Sequence, residues 1–514
     1  MRCKILLPAV LLAISMLSAC TSASEQEEIK LEELTISVIH RAYENGDYNC
    51  RQLVEAYLER IRELDQTINS ITTINPDAVE RAIELDEEYR ETGILKPLHG
   101  IPLVVKDNIN TAGMPTTAGS LALKDFIPGE DAFIIRKLVE AGAVIIAKTN
   151  MAEWAFSPMH TESSTAGTTR NPYNTEYVPA GSSGGTAAAV AANFTTVGLG
   201  TDTGNSIRGP SSHCALVGFR TTMGLVSRSA IVPLYLRNDV VGPMCRTVED
   251  ATRVLDIIAG YDPDDPLTEY STDQIPGSYL QYLDKDGLQG KRIGVLADLT
   301  YRNPDPGIND LFRQAVEDIE ELGAVVIDSV YIARFDELRQ NQWCPMFRHD
   351  LEAFLAEYVK NDSLQTIEDV IRIGSKSEFA AARLRESAGV EGSYGNDDKE
   401  CLDAFTDTRR IAFRRAIEDV MDSLQLDALI YPTWNNKPAR IEAFREEYRG
   451  DNNQVIAPHT GQPAFTVPMG YSEGNLPAGI QFLGRMFDES TLIELSYAYE
   501  QGTMHRKAPP INTD

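Results

Sequence analysis

The segment PAGSSGGTAAAVAANFTTVGLGTDTGNSIRG, residues 179–209, constrains this chain more than any other. It is rich in glycine and hydroxyl side chains and holds a single basic residue, Arg208. Side chains this small let backbone approach backbone, which suits a helix laid directly on a sheet. SSGGTAAAVAAN reads as a glycine-rich turn into an alanine-rich helix, FTTVGLGTD as a strand, and SIRGPSSHCALVGF as a turn and short helix.

The same alternation continues on both sides. Leu53, Tyr57, Ile61, Leu64 and Ile68 recur at three and four, which predicts an amphipathic helix over 47–68, and a second helical pattern covers 77–90. LHGIPLVVKDN predicts a buried strand from Ile101 to Val105 that delivers Lys106 to a loop. DAFIIRKLVEAGAVIIAKTN predicts a helix, a stop at Gly142 and a strand over 143–147. RIGVLAD, AVVIDSV, DALIYPT, PAFTVPMG and AGIQFLG are further strand candidates, and STLIELSYAYEQG is a closing helix. Strands alternating with helices imply an α/β core. No linker-like stretch divides the chain after about residue 80, so 33–510 reads as one large domain, with 260–400 as a more variable lobe.

The N-terminus carries a different signal. Arg2 and Lys4 precede a short apolar run, Ile5 to Leu17, too short to span a bilayer and suited to export. It ends Leu17-Ser18-Ala19-Cys20, which resembles the bacterial lipobox. Residues 1–19 are therefore expected to be a lipoprotein signal peptide, Cys20 the lipidated residue, and 20–32 a polar tether. The expected location is the bacterial cell envelope, on the extracytoplasmic face, with the lipid at Cys20 as the only membrane contact. Lys and Arg number 47 against 76 Asp and Glu, a net charge of −29, which argues against nucleic acid as a partner. Of seven cysteines, Cys50, Cys214, Cys245, Cys344 and Cys401 lie beyond the lipobox; none has metal-ligand spacing, and no disulfide pairing follows from the sequence.

Three places can carry chemistry. Lys106 closes an apolar strand. If it is buried, desolvation favours the neutral amine; lowering its pKa from ~10.4 to ~7–8 corresponds to roughly 3–5 kcal/mol and makes a competent base. Gly181-Ser182-Ser183-Gly184-Gly185 fits G-x-S-x-G, with Ser183 as the nominal nucleophile of an α/β-hydrolase. Gly200-Thr-Asp-Thr-Gly-Asn-Ser206 is a strand end and turn whose successive N–H groups can converge on an oxyanion.

Taken together, Lys106-Asp107-Asn108, GSSGGT and GLGTDTGNSIRGP resemble the amidase signature family. Ser182 and Ser206 stand 24 residues apart, as in that family, and GTTRNPYN (167–174), GLVSRSAIVPL (224–234), GPMCRTVEDA (242–251) and TGQPAFTVPMGYSEGNLPAGIQFLG (460–484) agree as well. The likeness covers roughly residues 30–505. It implies a mixed, mostly parallel central sheet surrounded by helices. It also implies a Ser-cisSer-Lys triad: Ser206 as nucleophile, Lys106 as base, and Ser182, after a cis peptide bond, as the relay between them. The backbone N–H groups of Thr203, Gly204, Asn205 and Ser206 would form the oxyanion hole. Asp202 and Arg208 would brace the turn, and Ser183 would add a supporting hydrogen bond. The implied reaction is hydrolysis of a small-molecule or peptide amide through an acyl-enzyme, with neither metal nor organic cofactor. Peptide C-terminal, aryl, fatty and cyclic amides all occur among the family's substrates.

Two positions depart from the family pattern. Asn205 stands where a second Gly is usual, and Gly218-Phe-Arg-Thr-Thr222 replaces Gly-Leu-Lys-Pro-Thr. Asn supplies the same backbone N–H and tolerates a left-handed conformation, but its side chain can narrow the site. Three rival readings exist. A Ser-His-Asp hydrolase would use Ser183 with His213, His349, His459 or His505. A tRNA-dependent amidotransferase component conflicts with export and with the acidic balance. The third is a non-catalytic lipid-anchored binding protein on an amidase scaffold; retention of Lys106, Ser182 and Ser206 together argues against it.

Overall fold

The structure is a computed structural model that describes residues 29–344, 346–390 and 401–511. The signal segment and Cys20 lie outside the described residues. In chain order the strands are β1 Ile71–Ile74, β2 Pro102–Lys106, β3 Val144–Thr149, β4 Glu162–Ser163, β5 Gly167–Thr168, β6 Val197–Asp202 and β7 Val217–Arg220. They continue with β8 Val240–Cys245, β9 Arg292–Leu296, β10 Val325–Val330, β11 Ala428–Pro432, β12 Ala464–Ser472 and β13 Leu476–Leu483. Eleven of them form one sheet in the order β1-β3-β2-β6-β8-β7-β12-β13-β11-β9-β10, while β4 and β5 pair separately. The sheet is mixed. β3-β2-β6 and β11-β9-β10 are parallel runs, and the pairings between them are antiparallel. Helices cover the sheet, so this is a single large α/β domain.

Local sequence explains most elements. The helix Cys50–Ile68 buries Leu53, Tyr57, Ile61, Leu64 and Ile68 on one face, opens with an Asn49/Gln52 capping box, and ends at Asn69 in a left-handed conformation. Each such large side chain taken out of water is worth about 1.5–3 kcal/mol. The helix Gly184–Ala191 is buried all round, as an alanine-rich helix must be when it lies between sheet and helices. Two glycines make that fit. A Cβ on Gly198 in β6 would meet Thr186 Cγ2 at 2.6 Å and Val190 Cγ2 at 2.8 Å, and one on Gly185 would meet the Asn150 backbone N at 2.6 Å.

Three strands of the main sheet, and the short pair β4 and β5, escaped the sequence reading. ITTI of β1 is a short edge strand beside β3. VGFR of β7 was read into the preceding turn and helix, yet pairs with β8 and β12. VVGPMC of β8 carries Gly242 and Pro243, which ordinarily demote a strand, but it pairs with β6 from Val197↔Cys245 to Asp202↔Val240. Within 260–400, β9 and β10 belong to the main sheet, whereas the helices between Phe347 and Ala388 build a second apolar cluster with Trp154, Phe156, Leu234 and Tyr235. That cluster roofs one end of the sheet, beside the C-terminal ends of β2 and β6. No helix among the described residues is long and apolar enough to cross a membrane.

Candidate active site

β2 and β6 are neighbouring parallel strands, so their C-terminal residues meet at one end of the sheet. β2 contributes Lys106, which is completely buried. Its Nζ lies 2.7 Å from Ser182 Oγ, 2.8 Å from Thr201 Oγ1 and 3.3 Å from the Thr201 carbonyl oxygen. Burial lowers its pKa to about 7, against the opposing pull of Asp202 and Asp239. Asp107 turns away from it, accepting from Thr117 and facing Lys148 at 3.9 Å. Asn108 turns toward it, its Nδ2 donating to Thr201 Oγ1 at 3.2 Å.

Ser182 follows a cis peptide bond from Gly181. Its carbonyl accepts from Ala152 N–H at 3.0 Å. Ser183 Oγ donates to the Thr201 carbonyl at 3.1 Å, locking the start of the alanine-rich helix to β6.

The turn after β6 is built around Asp202. Its carboxylate accepts from Ile207 N–H (3.2 Å), Arg208 Nε (3.1 Å), Arg208 Nη2 (3.3 Å) and Arg220 Nη1 (2.8 Å). Burial alone would raise its pKa; Arg208 and Arg220 outweigh this and hold it at about 2. Arg208 Nη2 also donates to the Gly204 carbonyl at 2.7 Å, and Thr203 Oγ1 donates to Asp239 at 2.5 Å. These bonds fix the turn from both sides. The backbone N–H groups of Thr203, Gly204, Asn205 and Ser206 have no acceptor among the described residues, and all four residues line one cavity. A run of unspent donors facing a cavity is suited to a developing oxyanion.

Ser206 Oγ donates to Asn205 Oδ1 at 3.5 Å and makes no hydrogen bond to Ser182. Asn205 keeps a negative φ, so the tolerance for left-handed geometry expected of it is not used. Its side chain lies at the cavity, where Nδ2 donates to the Pro158 carbonyl at 3.3 Å, beside Gly209. The cavity above the turn measures about 640 Å³ and is walled by Phe156, Tyr235, Trp343, Phe379 and Tyr448. Arg383 and Glu386, paired at 2.7 Å, supply its charged residues.

The fold thus joins Lys106 to Ser182 and Thr201, Ser183 to Thr201, and Arg208 to Asp202, while Ser206 opens the end of the same turn onto the cavity. No hydrogen bond joins these side chains to a histidine ring among the described residues. His213 has no hydrogen-bond partner on either ring nitrogen. His459 bonds Gln454 O at 3.1 Å, His505 faces Asp318 and His349 faces Asp350. The hydrogen bonds of Ser183 and Ser206 run to Thr201 and Asn205 rather than to a histidine, which disfavours the Ser-His-Asp reading. Sequence reasoning missed Thr201, Asp239 and Arg220. Arg220 lies inside the departing Gly218–Thr222 segment, which was the available signal; nothing local marks Asp239. The structure also pairs Cys344 with Cys401 as a disulfide, Cα atoms 5.8 Å apart.

Comparison with known proteins shows the family. The family described as Amidase matches residues 52–493. A probable amidase of Arabidopsis thaliana is 33% identical over 526 residues, covering 97% of this chain and 96% of that protein. A glutamyl-tRNA(Gln) amidotransferase chain of Alkaliphilus metalliredigens is 33% identical over 496 residues, covering 92% of this chain and 97% of that protein. Among solved structures, the native peptide amidase of Stenotrophomonas maltophilia superposes with a TM-score of 0.81 at 36% identity, covering 94% of this chain and 99% of that one. The chain belongs to the amidase family and is an enzyme that hydrolyses carbon–nitrogen amide bonds.

Proposed function

We propose that Ser206 is the nucleophile, Lys106 the general base and Ser182 the proton relay for hydrolysis of a carboxylic amide, including peptide C-terminal amides. The observation that carries this is the buried 2.7 Å contact between Lys106 Nζ and Ser182 Oγ. Proton counting supports it. A neutral amine has two N–H donors and one lone pair. The two oxygens of Thr201 take the donors, which leaves the lone pair for the Ser182 hydroxyl proton.

When substrate enters, the Ser206 hydroxyl turns from Asn205 Oδ1 to Ser182; such contacts commonly tighten only in the substrate complex. Lys106 takes the Ser182 proton as Ser182 takes the Ser206 proton, and Ser206 Oγ bonds to the amide carbon. The carbonyl oxygen becomes an oxyanion facing the N–H groups of residues 203–206. The proton then returns through Ser182 to the amide nitrogen, the C–N bond breaks, and ammonia or an amine leaves. Water hydrolyses the ester on Ser206 by the same relay. Asp202, Arg208 and Ser183 hold the turn and strand in register and do not touch the reacting atoms.

The same proposal places the enzyme outside the cytoplasm, held by lipid on Cys20, with no nucleic-acid partner. The N-terminal pattern and the net charge of −29 support this, as does a disulfide, which persists in oxidising compartments. Two measurements test the reading. The full chain in detergent is offered a panel of peptide and aryl amides, with ammonia and amine release followed against a Lys106→Ala control. Membrane partition is compared between the wild type and Cys20→Ser; equal partition would exclude the anchor.

A further inference from the structure

The catalytic proposal leaves open which acyl groups the cavity prefers. Trp343 stands closest to an answer. Its Cη2 would lie 3.1 Å from a Cβ on Gly204, so the ring tip rests over the turn that faces the oxyanion. The ring meets His459 edge-on at 4.6 Å and Tyr235 at 6.3 Å. Yet Trp343 is 40% exposed and sits in irregular backbone. Its ring packing alone does not explain how a large side chain keeps one place above the turn.

The backbone on both sides of Trp343 is tied to one segment. Before it, the Asn341 carbonyl accepts from Arg409 Nη1 at 3.3 Å. After it, Cys344 is bonded to buried Cys401. The segment from Cys401 to Arg409 is itself anchored on the sheet: Ala404 packs with Met223 and Val240, and Asp407 pairs with Arg237 at 3.3 Å. Val240 stands opposite Asp202 in the β6–β8 ladder. A covalent path therefore runs from the wall of the cavity to a segment packed on the strand pair that carries the oxyanion turn.

We infer, on the strength of the catalytic reading above, that Trp343 selects amides whose acyl group carries an aromatic or large apolar side chain, and that the Cys344–Cys401 disulfide holds it in that role. The indole and Tyr235, in edge contact with each other, wall one cavity with Phe156, Phe379 and Tyr448, and this aromatic lining offers contacts to such a side chain that an acyl group without one lacks the surface to make. Cys344 and Cys401 act only through Trp343 and are positioning residues.

The test compares N-acetylphenylalaninamide with N-acetylglycinamide, using the full chain. The quantity read is the ratio of the two kcat/KM values. Trp343→Ala should lower that ratio about tenfold through KM for the aromatic amide, and Trp343→Phe should restore most of it. Cys344→Ser with Cys401→Ser should lower the ratio several-fold, with kcat on the glycinamide and the melting temperature reported alongside. Added to Trp343→Ala, the cysteine changes should do nothing further, because residues acting through one another are non-additive. An unchanged ratio in the Trp343→Ala and cysteine variants, or cysteine losses that add to Trp343→Ala, would overturn the inference while leaving wild-type turnover intact. Absence of wild-type turnover on both amides would overturn the catalytic reading and this inference with it.

Discussion

Arg220 Nη1 donates to Asp202 Oδ1 at 2.8 Å, with both side chains fully buried. Burial pulls the Arg220 pKa down to about 10, and Asp202 resists that pull. Asp202 in turn holds the backbone N–H of Ile207, so the pair shapes the turn that presents Ser206. Arg220→Met leaves Asp202 paired with Arg208 but removes the Arg220 bonds to Asp202 Oδ1 and to the Asn238 carbonyl. It should therefore destabilise the fold by about 1.5–3 kcal/mol, the worth of a charge-assisted hydrogen bond, read from urea unfolding. The remaining folded enzyme should show a lower kcat, because the turn loses its brace.

Ser183 and Ser206 make a direct contrast. Ser183 is spent on the Thr201 backbone, whereas Ser206 lines the cavity. Ser206→Ala should cost at least about 10³-fold in kcat and abolish labelling by a fluorophosphonate. Ser183→Ala should still be labelled, with stability lower by about 0.5–1.5 kcal/mol for the lost hydrogen bond. Labelling that depends on Ser183 instead would restore the α/β-hydrolase reading.

Stability should fall as the solution becomes alkaline. Burial raises the pKa of Asp250 to about 7, of Glu489 to about 7 and of Glu500 to about 8, from ordinary values of 3.8, 4.5 and 4.5. Folded-state values above the unfolded ones mean the native chain binds more protons between these limits. Their contribution is complete below about pH 4 and lost as pH rises through 7 to 8. The melting temperature should drop between pH 6 and pH 9, and Glu500→Gln should shrink that drop. An equal drop in the variant would assign the effect to other groups.

Local rules gave a buried strand ending in Lys106 and glycine-rich turns at Ser182 and before Ser206; the roles of these residues came from the resemblance to the amidase signature family, and the structure adds that Lys106 is buried 2.7 Å from Ser182 Oγ. What was not legible depends on distant partners. Thr201 became a ligand of Lys106 only through the parallel pairing of β2 with β6. Asp239 reaches Thr203 from beyond β7, and Arg220 lies on a strand misread as part of a turn. β8 was hidden because Gly242 and Pro243 speak against a strand locally, while two flanking strands supply the pairing. The pairing of Cys344 with Cys401, 57 residues on, had no local signature.

The central claim is that an uncharged Lys106 activates Ser206 through Ser182. The rate of fluorophosphonate labelling of Ser206, followed against pH, tests it most directly. With the Lys106 pKa lowered to about 7, the lysine is protonated and idle at pH 5.5 and neutral at pH 8.5. Labelling should rise across that interval with a midpoint near pH 7 and fall by about 10²–10⁴-fold in Lys106→Ala at pH 8.5. Labelling that is flat with pH, or as fast in Lys106→Ala as in the wild type, would contradict the account.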